Sequence, residues 1–146
     1  AKLTGIEIIE RSKTTVISGY LPIKIKLKIE SYVEDLEASI QLIISDESQN
    51  LILINSVMKN KFFSFKKGMN ELECDIKALN LYAGDYKINC YITIPGKEII
   101  DYVPDALYFS INNFDPYNTG FAYTKNDGSG YFNVDHKWLT AEEIKQ

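Results

Sequence analysis

The sequence is poor in the residues that perform catalysis or bind metals. Its 146 residues include one histidine, one tryptophan and two cysteines. The single histidine, His136, has no cysteine, aspartate or glutamate set at ligand spacing, which argues against a metal site and against most histidine-dependent nucleophiles. No Gly-x-x-x-x-Gly-Lys-Ser/Thr loop is present, so the chain contains no ATPase site of that type. We therefore predict a domain without catalytic residues, metal or cofactor.

The two cysteines and the charge balance restrict the environment of the protein. Cys74 and Cys90 are too few for a disulfide framework, and both alternate with apolar neighbours. This pattern predicts two buried free thiols in a reducing compartment, and a disulfide between them is the alternative. The net charge of −4 argues against nucleic acid and against anionic membranes as partners.

Membrane and targeting segments are also missing from the sequence. No apolar run reaches the roughly 18 residues that a membrane-spanning helix needs. No signal peptide precedes the first strand-like segment, Thr4–Glu10. A chain that starts in this way is expected to be a domain excised from a longer polypeptide.

Short segments of alternating apolar and polar residues extend to Ile111. The clearest are Ile23–Glu30, Glu71–Lys77 and Tyr86–Ile94. This period of two places successive side chains on opposite faces of a strand. We count about eight strands, with turn signals roughly every 8–12 residues and no convincing interior helix. The sequence therefore predicts an all-β fold, an antiparallel β-sandwich.

The segment Tyr86–Ile94 is expected to be the central strand. Its even positions are apolar and predict a core-facing side, whereas Asn89, Tyr91 and Thr93 predict a polar side that carries an aromatic ring. Gly84 and Tyr86 have the spacing of the tyrosine corner of immunoglobulin-like sandwiches, in which a tyrosine bonds back to the preceding turn.

The composition of the chain changes at Asn112. Residues 1–111 are predicted to form the sandwich core, residues 112–130 a loop or hinge, and residues 131–146 a C-terminal extension strand with a short helical tail. Thr140 and Glu143 have the spacing of a capping box, which predicts the helix. A long polar connector before one last strand permits exchange of that strand between protomers.

Several motifs follow one another along nearly the whole chain. They are TGIEI at Thr4–Ile8, SGYLPI at Ser18–Ile23, LNLYAGDY at Leu79–Tyr86, Asp101 followed by DALYFSI at Asp105–Ile111, and Gly130–Trp138 with its ending HKW. Their order resembles the C-terminal carbohydrate-binding domain of the Wzt-type ATPase subunit of bacterial O-antigen polysaccharide ABC transporters.

The resemblance implies an immunoglobulin-like sandwich and a function that composition does not show. A non-catalytic module would recognise the exported O-antigen polysaccharide, typically at its non-reducing end, and couple it to export. Its partners would be the polysaccharide, a second copy joined by exchange of the C-terminal strand, and the nucleotide-binding and membrane subunits of the transporter. The ATPase domain would precede this one in the parent polypeptide, at the cytoplasmic face of the bacterial inner membrane.

The glycan varies between members of the family, so the sugar-binding residues are predicted from this sequence itself. Proteins bind sugars through aromatic faces that stack on C–H surfaces and through amides and hydroxyls that bond the sugar hydroxyls. If the three strands that contain Gln41, Tyr91 and Tyr108 lie side by side, their outward residues form such a surface. The predicted carbohydrate-binding residues are Gln41, Asn89, Tyr91, Thr93, Tyr108 and Ser110. The alternative is an ordinary solvated face, in a domain with only a structural or protein-interaction role.

Other candidate residues have simpler interpretations. Tyr131, His136 and Trp138 form either a second site or, as we prefer, the packing surface of an exchanged strand or a dimer seam. Asp101 and Asp105 are expected at the surface or in a turn. Glycosidase chemistry would need two carboxylates that converge in a cleft, and the predicted polar face is rich in amides and tyrosines instead.

Overall fold

The computed structural model describes residues 1–125, 128 and 130–146. Residues 126, 127 and 129, which belong to the predicted hinge, lie outside the described part. Within that part the chain forms ten strands, one short 3-10 helix and one short α-helix. In chain order these are β1 (Lys2–Glu10), β2 (Lys13–Thr14), β3 (Val16–Ile17), β4 (Ile23–Ser31), β5 (Leu36–Ser45), β6 (Asn50–Asn55), the 3-10 helix (Ser56–Lys59), β7 (Phe63–Phe65), β8 (Gly68–Ile76), β9 (Gly84–Ile94), β10 (Glu98–Ile111) and α1 (Ala141–Ile144).

The strands form two sheets, which confirms the predicted all-β sandwich. One sheet has four strands in the order β2-β1-β4-β8, and the other has the order β3-β10-β9-β5-β6, with β7 paired to the start of β5. All pairings are antiparallel except that of β3 with β10. The predicted neighbourhood of the strands with Gln41, Tyr91 and Tyr108 is confirmed, because β5, β9 and β10 lie side by side.

Alternate residues of the two sheets build one shared core. Its most buried members include Ile25, Leu27 and Ile29 on β4 and Ile88, Cys90 and Ile92 on β9. Burying one such aliphatic side chain stabilises a fold by about 1.5–3 kcal/mol before the entropy of ordering is subtracted. The inward half of β9 is therefore a rigid support for whatever its outward half carries.

Both cysteines are free thiols, as their alternation with apolar residues predicts. Cys90 is buried, and its burial raises the pKa of the thiol to about 12. Burial also raises the pKa of the half-buried Cys74. Both groups therefore stay protonated and unreactive at neutral pH, since the thiolate is the nucleophilic form.

The predicted tyrosine corner is present at the start of β9. The hydroxyl of Tyr86 donates to the carbonyl oxygen of Tyr82 at 2.5 Å. The Tyr86 ring is buried and stacks on Phe109 of β10, with centroids 5.8 Å apart. Burial raises the pKa of the Tyr86 phenol, so it remains a hydrogen-bond donor at any physiological pH.

Strand β10 bends twice, and the bends set its register on β9. The pairing shifts between Ile99 and Asp101 and again between Val103 and Leu107. The second bulge contains Pro104, which has no N–H to give to the ladder. At the first bulge Asp101 accepts a hydrogen bond from the backbone N–H of Leu3 on β1 at 2.8 Å, which ties the two sheets together.

Beyond Ile111 the chain folds back over the segment that precedes β9. Backbone hydrogen bonds join Lys125 to Ala83 at 3.0 Å, Tyr82 to Tyr131 at 2.8 Å, and Asn133 to Asn80 at 2.7 Å. Phe132 makes one isolated bridge to Leu81, and residues 131–140, all of them described, contain no strand within this single chain. The C-terminal strand therefore stays a prediction for an assembled dimer. In α1 the capping box of Thr140 and Glu143 is formed as its spacing predicts.

Lys125 fastens this returning segment to the sandwich. Its side chain is only 7% exposed, and its ammonium Nζ lies 3.7 Å from Asp46 Oδ2 and 3.2 Å from Glu47 Oε2. The same ammonium donates to the backbone carbonyl of Asp85 at 2.9 Å. The segment is thus held by charge as well as by backbone hydrogen bonds.

The glycine of the tyrosine corner makes room for this lysine. The Lys125 ammonium sits 4.9 Å from the centroid of the Tyr86 ring, as in a cation–π contact. A Cβ placed on Gly84 would lie 2.7 Å from Lys125 Cε and within 2.9 Å of two further carbons of its stem. A side chain at position 84 would therefore displace Lys125 from the ring that it covers.

Candidate functional site

All six predicted site residues lie on the outer face of the six-stranded sheet. Gln41 of β5 is the cross-strand partner of Tyr91, and the same pairing places Asn89 and Thr93 on that face. Across the other edge of β9, Tyr108 pairs with Lys87 and Ser110 pairs with Asp85. Cross-strand partners share a face, so the strand parity read from the sequence holds for all six.

The structure brings four of these residues together and leaves two apart. Gln41, Asn89, Tyr91 and Thr93 are immediate neighbours on β5 and β9. Tyr108 is opposite Lys87, four residues before Tyr91, which corresponds to about 13 Å along a strand. Ser110 lies further still and donates to Asp85 Oδ1 at 2.7 Å. The predicted face is therefore a long strip, with the cluster around Tyr91 at one end and Tyr108 and Ser110 toward the other.

Tyr102, which was not predicted, completes the cluster around Tyr91. It is the β10 partner of Tyr91, and the two rings stack with centroids 4.3 Å apart and planes 20° from parallel. Tyr102 is 46% exposed, so one side of the pair is open to solvent. We call Gln41, Asn89, Tyr91, Thr93 and Tyr102 together the tyrosine face.

The alternation of side chains along β10 indicates that Tyr102 belongs to this face, although Tyr102 was not predicted. Tyr102 has the same parity as Tyr108 and Ser110, the two residues of this strand that were predicted. Pro104 bends β10 without dividing it, so Tyr102 and Tyr108 belong to one strand. In the structure the bulge absorbs the extra residues and keeps the face unchanged.

Hydrogen bonds fix the polar side chains of the tyrosine face. Gln41 Oε1 accepts from Asn55 Nδ2 at 3.1 Å, and the hydroxyls of Ser39 and Thr93 share a hydrogen bond of 2.7 Å. Side chains held in this way lose little further freedom when they bind a ligand.

Asn89 is held from both ends of its amide group. Its Oδ1 accepts from the backbone N–H of Asp105 at 2.7 Å, inside the bulge, and its Nδ2 donates to Ser45 Oγ at 3.2 Å. An amide has two N–H donors and two acceptor lone pairs, so Asn89 keeps capacity for a ligand after these two bonds. Its orientation is therefore set before a ligand arrives.

A polar cleft of about 340 Å³ opens beside Tyr102. The turn between β5 and β6 forms one wall and the Pro104 bulge forms the other. Its lining combines one aromatic ring with amides, hydroxyls and charged groups, namely Ser45, Asp46, Ser48, Gln49, Asn50, Lys87, Asn89, Tyr102, Pro104 and Asp105. The turn is itself fixed, because Asp46 Oδ1 accepts from the backbone N–H groups of Ser48 and Gln49, each at 2.9 Å.

The charges in this cleft are paired and stable around neutral pH. Lys87 Nζ lies 2.8 Å from Asp105 Oδ1. This hydrogen bond raises the pKa of Lys87 and holds the pKa of Asp105 below its ordinary range. Burial, reinforced by Tyr102, raises the pKa of Tyr91, so the tyrosine remains neutral. The site therefore offers both charged and neutral hydrogen-bonding groups.

The family model of the Wzt C-terminal domain matches residues 1–124. The chain belongs to the Wzt C-terminal domain family. The fold agrees with that of a solved relative, "Crystal structure of the C-terminal domain of wzt", with a TM-score of 0.75 over 94% of this chain and 82% of that chain. At 12% identity this likeness shows the shared sandwich alone. A search of the curated proteins returned no match.

Membership of the Wzt C-terminal domain family defines the context of the site. Such a domain is the non-ATPase part of an ABC-transporter subunit for polysaccharide export. Across residues 1–125, 128 and 130–146, no group of three potential metal ligands converges. In the same described ranges, no helix is both long and apolar enough to cross a bilayer.

A broad groove on the four-stranded sheet of this Wzt C-terminal domain lacks the chemistry of a sugar site. It covers about 490 Å³ on the outer face of the four-stranded sheet, between rows of lysine and glutamate on β1, β4 and β8. Lys24 and Lys26 both approach Glu73, at 3.4 and 3.9 Å, so the charges satisfy one another. No aromatic ring lines this groove. The tyrosine face and its polar cleft are the better candidate.

The three C-terminal candidates, Tyr131, His136 and Trp138, do not form one cluster. Tyr131 packs against the core, whereas His136 and Trp138 lie outside it with their rings edge to face, 6.0 Å apart. Trp138 is 86% exposed. His136 lines a cavity, together with aromatic residues that the sequence analysis did not connect to it.

Proposed function

We propose that this domain binds the exported O-antigen polysaccharide at the tyrosine face and presents it to the transporter. The observation that carries the proposal is the stacked Tyr91–Tyr102 pair beside the polar cleft, on a sheet whose other side is the core. A half-exposed aromatic ring offers the C–H surface of a sugar a flat partner. The fixed amides of Asn89 and Gln41 offer donors and acceptors for its hydroxyls.

The polar cleft has space for the end of a glycan chain beside Tyr102. The Pro104 bulge and the β5–β6 turn border the cleft on two sides. The Lys87–Asp105 pair supplies a cation and an anion to the same cleft. We infer that the domain recognises the non-reducing end, and so links a finished chain to export.

The C-terminal tail supports the proposed homodimer. Four apolar side chains beyond Asn133 are exposed in the single chain, namely Val134, Trp138, Leu139 and Ile144. Apolar residues concentrated on one segment are usually covered by a partner. Exchange of this segment with a second copy would cover them and would form the expected C-terminal strand. We place the dimer with its nucleotide-binding and membrane subunits at the cytoplasmic face of the inner membrane.

Substitution of the tyrosine pair tests the proposal. The probe is O polysaccharide purified from the strain that encodes the domain, titrated by isothermal calorimetry. Tyr91→Ala and Tyr102→Ala are each expected to weaken binding about fivefold or more, since a stacked aromatic contact contributes about 1 kcal/mol. Tyr32→Ala is the control, because Tyr32 is also a surface tyrosine, 56% exposed, but lies on the β4–β5 connector.

Two outcomes contradict the proposal in different ways. If both variants bind the polysaccharide as tightly as the unmodified domain, the tyrosine face is the wrong surface. If the unmodified domain gives no binding heat at all, glycan recognition itself is wrong, and the same tyrosines would instead serve a protein interface. Circular dichroism of each variant checks that the fold is retained.

A further inference from the structure

A second aromatic cavity lies at the end of the sandwich where β9 begins. It measures about 250 Å³ and forms where residues 112–125 and 130–136 lie over the segment before β9. The body of the domain contributes Tyr20 and Tyr82 to it, and the returning segment contributes Phe114, Tyr117, Tyr123 and His136. We call this cavity the aromatic cleft.

Each wall of the aromatic cleft joins one ring from the body to one ring from the returning segment. Tyr20 stacks on Phe114 with centroids 5.9 Å apart and planes 30° from parallel. Tyr82 meets Tyr123 at 6.4 Å. Tyr123 is nevertheless 56% exposed, and Phe114, Tyr117 and Phe121 on the same segment are also exposed. These rings therefore present flat surfaces to solvent instead of filling the core.

Polar groups converge on the rim of the same cleft. Asn133 Nδ2 donates to the hydroxyl of Tyr117 at 2.7 Å, and that hydroxyl lies 3.4 Å from Asp135 Oδ1. The His136 ring meets Tyr117 edge to face at 6.1 Å. Flat rings bordered by an amide, a carboxylate, a phenol and an imidazole can stack on a sugar ring and bond its hydroxyls.

A polar strip connects the aromatic cleft to the tyrosine face. The tyrosine face lies on β9, and the aromatic cleft adjoins the segment just before it, at Tyr82. Tyr91 is six residues from Asp85, or about 20 Å along the strand. Between them the outer face carries Lys87 with its partner Tyr108, and Asp85 with its partner Ser110. One extended ligand can follow this strip from one end of the sheet to the other.

We propose that the aromatic cleft is a second glycan subsite, which takes a pyranose ring of the polysaccharide chain whose end occupies the tyrosine face. The inference rests on the proposed function and extends it. Two subsites on one chain act at a high effective concentration, so only a glycan long enough to reach both gains the added affinity. The domain thereby distinguishes long chains from short ones.

The sole tryptophan of the chain reports on the neighbourhood of the aromatic cleft. The Trp138 ring meets, edge to face at 6.0 Å, the ring of His136, which lines the cleft. The experiment titrates the full-length domain with the source-strain polysaccharide and with short oligosaccharides made from it by partial hydrolysis. Calorimetry measures total binding, and tryptophan emission measures occupancy of the cleft.

Matched variants separate the two subsites. Tyr123→Ala is expected to weaken binding of the long polysaccharide about tenfold or more, to abolish the Trp138 response, and to leave short oligosaccharides unaffected. Phe121→Ala, which removes another exposed ring of the cleft, is expected to act in the same direction. Tyr102→Ala is expected to weaken binding of long and short glycans alike. Thermal unfolding of each variant checks its fold.

The inference is overturned if Tyr123→Ala and Phe121→Ala bind the long polysaccharide normally, or if Trp138 emission does not change on binding. That result leaves the tyrosine face intact as the glycan site. If instead Tyr102→Ala binds normally while Tyr123→Ala does not, the tyrosine face fails and the aromatic cleft becomes the primary site. Equal affinity for long and short glycans removes the claim of length discrimination.

Discussion

Replacement of Lys125 by methionine is expected to lower the free energy of unfolding by about 3 kcal/mol. Methionine keeps most of the apolar stem and removes the charge. The Lys125 and Asp46 side chains are 7% and 2% exposed, so the substitution leaves a buried carboxylate without its cation. Loss of one partner of a buried pair costs about 3–5 kcal/mol.

The lower end of that range applies here for two reasons. Asp46 keeps its hydrogen bonds from Ser48 and Gln49 after the ammonium is removed. Glu47, the other carboxylate near Lys125, is largely exposed, and an exposed pair contributes only about 0–1 kcal/mol. For a domain of this size each kcal/mol shifts Tm by about 2–4 °C, so we expect a decrease of roughly 6–12 °C.

Urea unfolding and calorimetry of the variant measure these quantities directly. Lys97→Met is the matched control, because Lys97 lies exposed in the turn between β9 and β10; its unfolding free energy should change by about 0.5 kcal/mol or less. Hydrogen exchange at the Tyr82 amide, which bonds to Tyr131, should also increase in the Lys125 variant. A Lys125→Met domain that is as stable as the control would refute the role assigned to this ion pair.

Two further predictions concern acid stability and the C-terminal segment. Burial disfavours the charge of Asp46, but hydrogen bonds from Ser48 and Gln49 and the charge of Lys125 hold its pKa below the ordinary 3.8. The stabilisation of the fold by the ionised Asp46 is therefore complete above that pH. It is lost as the pH falls through the folded-state pKa. The free energy of unfolding in urea should decrease below about pH 4. If the free energy of unfolding of Asp46→Asn decreases just as steeply, the assignment to Asp46 is contradicted. A chain that ends at Ile111 should be monomeric or insoluble in analytical ultracentrifugation, whereas one that ends at Asn133 should stay soluble and monomeric; a soluble dimer of either truncated chain contradicts strand exchange.

The local elements of this fold could be predicted because their signals are local. Period-two alternation located β4, β8 and β9, and the Gly84-x-Tyr86 spacing located the tyrosine corner. Burial of one face of a strand enforces such alternation wherever the strand occurs. For the same reason the parity of all six predicted site residues was correct, although they lie on three separate strands.

The register of β10 on β9 could not be predicted, and it decides which residues form the site. Two bulges shift the pairing, and each depends on contacts from elsewhere: Asp101 bonds to Leu3, and Asn89 fills the bend beside Asp105. The first shift places Tyr102, in place of Asp101, opposite Tyr91. The ion pair of Lys125 could not be predicted either, because its partner Glu47 is 78 residues away in the chain.

The space above Gly84 has a consequence for assembly. It accepts a lysine stem against the Tyr86 ring, and the lysine is carried by the segment that follows Ile111, the last residue of β10. A second copy can offer the same lysine to the same groups with the same contacts. The choice between them then depends on the connector and on protein concentration, because a connector too short to span the distance lowers the effective concentration of the segment at its own body to near zero. Shortening the connector would therefore move the domain between a closed monomer and an exchanged pair without altering any residue of the glycan surface.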